Sequence, residues 1–128
     1  MKKIVVAVGL AISISAPVLA QDALLGKYSG SYRQQVGSQG EKTAGITLEI
    51  LSVEGGAVKG KAARSRLGSL DNCGGEYSLE GKVNGNELFL KSTSSSVGSG
   101  DCSMVLRLTV EGSKLAGTLN KGNVQFSK

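Results

Sequence analysis

The stretch Cys73-Gly-Gly-Glu76-Tyr-Ser-Leu-Glu80-Gly-Lys-Val-Asn84-Gly-Asn-Glu87-Leu-Phe-Leu90 decides the fold. Tyr77, Leu79, Val83, Leu88 and Leu90 alternate with other residues on either side of a glycine turn, the pattern of a half-buried β-hairpin. The turn centre is either Asn84-Gly85 or Gly85-Asn86, and both choices put those five residues on one face. Phe89 falls on the outside. A Ser/Gly-rich run then leads to Asp101-Cys102, so the only two cysteines of the chain bracket the hairpin.

Working outward, the same turn recurs. Val53-Glu54-Gly55-Gly56-Ala57-Val58-Lys59-Gly60 and Val110-Glu111-Gly112-Ser113-Lys114-Leu115-Ala116-Gly117 match Val83-Asn84-Gly85-Asn86-Glu87-Leu88-Phe89-Leu90. Glycine accepts the positive φ that a two-residue hairpin turn demands, so each copy is a tight turn between antiparallel strands. In the last copy a Gly112-Ser113 turn sets Glu111 opposite Lys114 and Val110 opposite Leu115. Leu108 then faces Gly117, and Leu106 faces Leu119. Unlike charges pair outside and apolar groups pair inside.

Strands are expected at 26–34, 44–53, 57–64, 75–83, 87–93, 103–110, 114–120 and 123–127. Ile46, Leu48 and Ile50 keep one phase while Leu51 and Val53 fall out of it, which predicts a bulge near Leu51-Ser52 that returns Val53 to the inside. Near-contiguous hairpins favour an all-β meander, and eight strands remove their edges by closing into an antiparallel up-and-down barrel. The rival architecture is a two-sheet sandwich.

The ends are read separately. Lys2 and Lys3, the apolar run from Ile4 to Ala16, Pro17 and the small residues Val18-Leu19-Ala20 predict a cleaved signal peptide at 1–20, ahead of one domain at 21–128. The apolar run is shorter than the ~20 residues of a spanning helix, and no membrane span is expected after it. Export places the product in the periplasm or outside the cell. There, two cysteines form a disulfide, Cys73–Cys102, whose closed loop adds roughly 3–4 kcal/mol on the chain-entropy model. The formal charge of +5 falls to +3 without Lys2 and Lys3.

In a meander the three tight turns gather at one end, and the loops 35–43, 65–74 and 94–102 at the other. The disulfide then clips two neighbouring loops at the barrel mouth, as a binding surface or as a brace against fraying. Val53, Val58, Val83, Leu88, Val110 and Leu115 are expected to plug the turn end. Gly60, Gly81 and Gly117 come next, marking a cavity, a bend for closure or a close backbone approach. Tyr32, Tyr77, Met104 and Leu119 follow toward the mouth, as the lining of any site for a small apolar ligand.

The chain has no histidine, which removes Ser-His and Cys-His nucleophiles and imidazole zinc sites. Glu76 and Glu80 fall on an outer strand face as solvated charges. Asp71 and Asp101 flank the cysteines, where they meet a partner or a cation or simply form turns. Lys59, Lys61, Arg64 and Arg66 run along the third strand and the loop after it, as an anion-docking surface or an ordinary charged face. The interleaved exposed aromatics used for base stacking are missing, so nucleic acid is not an expected partner. No enzyme class, metal or cofactor is expected.

The opening Gly26-x-Tyr28, the repeated Val-x-Gly turns and the single disulfide resemble small exported barrels of the calycin kind, including the periplasmic barrels that inhibit lysozymes or proteases. The resemblance implies a calycin-like barrel and a binding role. It carries no functional residue across, because the Tyr/Trp-centred loops of the inhibitors and the tryptophan of lipocalin and avidin openings are absent. Two functions follow as expectations. One is a non-enzymatic exported protein presenting its clipped loops to a protein partner. The other is a carrier of a small apolar ligand inside the barrel.

Overall fold

Alternation of apolar and polar residues carries through the chain as eight strands: β1 (Gly26–Gln35), β2 (Glu41–Glu54), β3 (Ala57–Arg64), β4 (Gly75–Asn84), β5 (Glu87–Ser95), β6 (Val105–Glu111), β7 (Lys114–Leu119) and β8 (Gly122–Ser127). Each pairs antiparallel with the next, and β8 returns to β1, closing an up-and-down barrel. The computed structural model describes residues 23–68, 71–97 and 102–128. The expected signal peptide and Asp101 lie outside them.

The registers follow the turn chemistry. Glu111 opposes Lys114, Val110 opposes Leu115, Leu108 opposes Gly117 and Leu106 opposes Leu119. In β2 the ladder slips between Ile50 and Ser52, which leaves Leu51 53% exposed and sets Val53 opposite Val58. A second slip was not signalled. Ser78 pairs with Ser94 but Leu79 with Ser92, so Thr93 is the extra residue in β5. The expected loop 35–43 is also shorter, because Gln34 and Gln35 continue the ladder against Lys42 and Glu41. Polar side chains do not stop backbone pairing where neither face has to be buried.

The inward residues form one apolar core. Val58, Val83, Leu88 and Leu115 are buried at the turn end, with Val53 and Val110 packed against them. Leu24, ahead of β1, is buried there too, and Tyr28 donates its hydroxyl to the Leu24 carbonyl at 2.8 Å. The inward glycines are close backbone approaches rather than empty space. A Cβ on Gly81 would stand 1.7 Å from the Phe89 carbonyl oxygen, and one on Gly117 2.0 Å from that of Arg107. Toward the mouth, Tyr32, Tyr77, Met104 and Leu119 are each at most 2% exposed, so their side chains fill the barrel. Phe89 lies outside with the Arg107 guanidinium 4.9 Å above its ring.

Candidate functional site

The connection after β3 is organised by one carboxylate. Asp71 Oδ2 accepts the Leu67 amide at 2.7 Å, and Oδ1 accepts the Cys73 amide at 2.9 Å. Arg64, the last residue of β3, donates to both oxygens, from Nη1 at 2.7 Å and Nη2 at 3.3 Å. Arg66 Nε donates to the Asp71 carbonyl at 2.7 Å. Burial raises the Asp71 pKa, but the hydrogen bonds from Arg64, Leu67 and Cys73 and the charge of Arg64 outweigh it and hold the group at about 2. Four hydrogen bonds on one charged group fix a loop far better than chain connectivity does.

Around this anchor the mouth is tied down. Leu67 is buried beneath the loop. Cys73 is joined to Cys102, and its carbonyl accepts the Tyr77 hydroxyl at 2.5 Å. Burial raises the pKa of Tyr77 and of Tyr32, which keeps both phenols neutral donors. Tyr32 donates to Gln34 Oε1, and the Arg64 guanidinium stands 5.4 Å from the Tyr32 ring centroid. On the far side Asn120 holds the β7–β8 turn to the start of β6: its Oδ1 accepts the Val105 amide at 2.9 Å and its Nδ2 donates to the Ser103 carbonyl at 3.0 Å.

Between these elements lies a cavity of about 400 Å³, lined by Tyr32, Val36 and Leu67 on its apolar side and by Gln39, Arg64 and Lys121 among its polar groups. That volume and mixture suit a small ligand or an inserted side chain. A larger concavity, about 580 Å³, lies on the outer surface along the row Tyr28–Leu48–Ala62–Tyr77–Ser95. It is a crease between two rows of outward residues, and Lys61 there sits 3.9 Å from Glu49. The mouth is the stronger candidate because fixed loops and a nearly buried ion pair give it a definite shape.

The residues singled out in the sequence are divided by the fold. Tyr32 lines the mouth cavity, whereas Tyr77, Met104 and Leu119 pack in the core below it. Asp71 and Arg64 meet each other as an ion pair. The basic series does not form one surface: Arg64 turns into the mouth, Arg66 joins the mouth loop, and Lys59 and Lys61 stay on the outer face of β3 opposite Glu80 and Glu49. Val36, Gln39, Leu67, Asn120 and Lys121 were not anticipated. For Asn120-Lys121 the only local sign was a short polar turn between two apolar strands. Among the described residues no group of three or more acidic, histidine or cysteine side chains is placed to hold a metal ion, and no helix is long and apolar enough to cross a membrane.

No family model, curated protein or solved structure matches this chain.

Proposed function

We propose that the chain is an exported, non-enzymatic binding protein that presents the disulfide-clipped mouth of its barrel to a protein partner. The observation that carries this reading is the Asp71 anchor. A loop that only connected two strands would not need a carboxylate drawing hydrogen bonds from Arg64, Leu67 and Cys73 at once. Fixing a loop before binding removes ordering cost from the association, which is how rigid recognition surfaces gain affinity. The disulfide fits a periplasmic or secreted setting.

The test is site-specific photo-crosslinking in the envelope fraction of the host. A photoreactive residue at Gln39, beside the mouth, is expected to trap a partner of discrete mass, and one at Ser113, at the turn end, is not. Equal trapping from both sites, or none from Gln39, would overturn the reading.

A second reading, the carriage of a small apolar molecule, is favoured by the volume of the mouth cavity alone. The packed side chains below leave it no room deeper in the barrel. A native mass exceeding the denatured mass by a small discrete amount would bring it forward.

A further inference from the structure

The positive charge of this protein is distributed unevenly. Along part of the barrel wall, bases face acids across the strand register: Lys27 and Lys61 flank Glu49, Lys59 and Lys91 flank Glu80, and Lys114 opposes Glu111, whereas Lys82 and Arg107 flank the outward Phe89. The paired rows offer a charged partner little net field. Around the mouth the pattern stops. Lys42 is opposite Gln34, and Arg33 lies between Thr43 and Asn123. Lys121 stands in the β7–β8 turn at the cavity wall. Among the described residues none of these three has an ion-pair partner. Of the described acids at this end, Asp71 is taken by Arg64, leaving Glu41 and the outward Glu76.

Placement adds to composition. Ala44 and Tyr32 face each other in the inward row, so Lys42 and Gln34, two residues along each strand, continue that row to the rim. Lys121 lines the opening, whose wall includes Tyr32, Val36 and Leu67, and Lys42 stands across the strand register from Gln34, another lining residue. A base-rimmed hollow with an apolar wall is complementary to an apolar side chain flanked by carboxylates.

We propose that the mouth cavity receives an apolar side chain from an acidic segment of the partner protein, with the neighbouring carboxylates on Lys42 and Lys121. This rests on the loop-end reading above and names the chemistry of the partner. The Asp71–Arg64 pair contributes by shape: its charges satisfy each other, so the rim lysines supply the attraction.

The probe is a blocked pentapeptide, acetyl-Glu-Glu-Leu-Glu-Glu-amide, titrated into the ¹⁵N-labelled protein, with the Lys-Lys-Leu-Lys-Lys and Glu-Glu-Gly-Glu-Glu versions as controls. The acidic leucine peptide is expected to shift the amides of Val36, Gln39, Leu67 and Lys121, and the controls to shift them weakly. Binding should weaken about fivefold between ~20 mM and ~500 mM salt. It should weaken by about as much again in Lys42→Glu/Lys121→Glu, a variant of side chains that make no ion pair, with the salt series on the unaltered protein as the independent measure. Equal binding of the basic peptide, shifts centred on Lys59 and Lys61, or no shift at ~10 mM peptide would overturn the proposal. A crosslinked partner whose capture ignores both salt and the charge reversals would sink the acidic assignment while leaving the loop-end reading standing.

Discussion

Arg64 closes on Asp71, seven residues further along the chain, with Nη1 2.7 Å from Oδ2 and only 7% and 13% of the two side chains exposed. The pair joins the end of β3 to the middle of the mouth loop and lies beside the Tyr32 ring. Removing one partner would leave a nearly buried charge without compensation, so Asp71→Asn is expected to cost about 3 kcal/mol at neutral pH. The cost has a definite pH dependence. The folded carboxyl is held at about 2 against an ordinary value of 3.8, so the unfolded chain binds the proton first as pH falls. The stabilisation is complete above about pH 4 and is lost as pH falls through about 2, a change of about 2 kcal/mol. Urea unfolding of both proteins should show their gap narrowing across that window. A gap of constant size would mean that the charge of Asp71 does not matter.

Gly81 separates two accounts of the inward glycines. If it left room inside the barrel, Gly81→Ala would be neutral or stabilising. Its Cβ would instead meet the Phe89 carbonyl oxygen at 1.7 Å, an atom of the neighbouring strand that cannot turn aside. The expected loss is about 3 kcal/mol, at the upper end for overpacking. Gly112 is the control: φ is +64° and no atom lies within 4 Å of its Cβ position, so Gly112→Asn should cost less than about 1 kcal/mol. Thermal unfolding of the two variants gives the comparison.

The contrast between these glycines reflects what a sequence can carry. The Val-x-Gly repeats determine three hairpins because the turn and both inward neighbours lie within eight residues. The bulge at Leu51 was legible because Leu51 and Val53 break a phase that Ile46, Leu48 and Ile50 establish. Thr93 breaks nothing, since the run from Ser92 to Ser96 is polar throughout. Arg64 is the instructive miss. It is in phase with inward Gly60 and Ala62, yet its charge grouped it with Lys59 and Lys61 on the surface. What makes it inward is Asp71 in the next loop, a non-local partner that no periodicity announces. The mouth cavity was illegible for the same reason, being assembled from β1, two loops and the β7–β8 turn.

Asn120 has φ +53° and anchors the turn that carries Lys121. Alanine there would keep the strained backbone and lose both side-chain bonds, an expected cost of about 2 kcal/mol. Glycine would relieve the backbone and still lose the bonds, leaving about 1 kcal/mol. Urea midpoints should therefore rank wild type above Asn120→Gly above Asn120→Ala. If alanine and glycine were equal, the backbone conformation would contribute nothing and the two hydrogen bonds everything.

Leu24 tests whether the barrel begins before its first strand. The side chain is 1% exposed, its carbonyl accepts the Tyr28 hydroxyl, and Lys128 Nζ donates to the Ala23 carbonyl while standing 5.5 Å from the Tyr28 ring centroid. The two ends of the described chain thus lie together over the turn end of the core. Leu24→Ala is expected to cost about 3 kcal/mol, as for other large-to-small core changes, and Tyr28→Phe about 1 kcal/mol through the lost hydrogen bond. Because Tyr28 bonds to the Leu24 backbone, its contribution depends on Leu24 being seated. The double variant should then lose less than the two single losses combined. Denaturant unfolding of the four proteins completes the cycle. Strict additivity would show that Tyr28 holds its partner whether or not the leucine side chain is in the core, so that the backbone bond and the buried side chain secure the segment ahead of β1 independently.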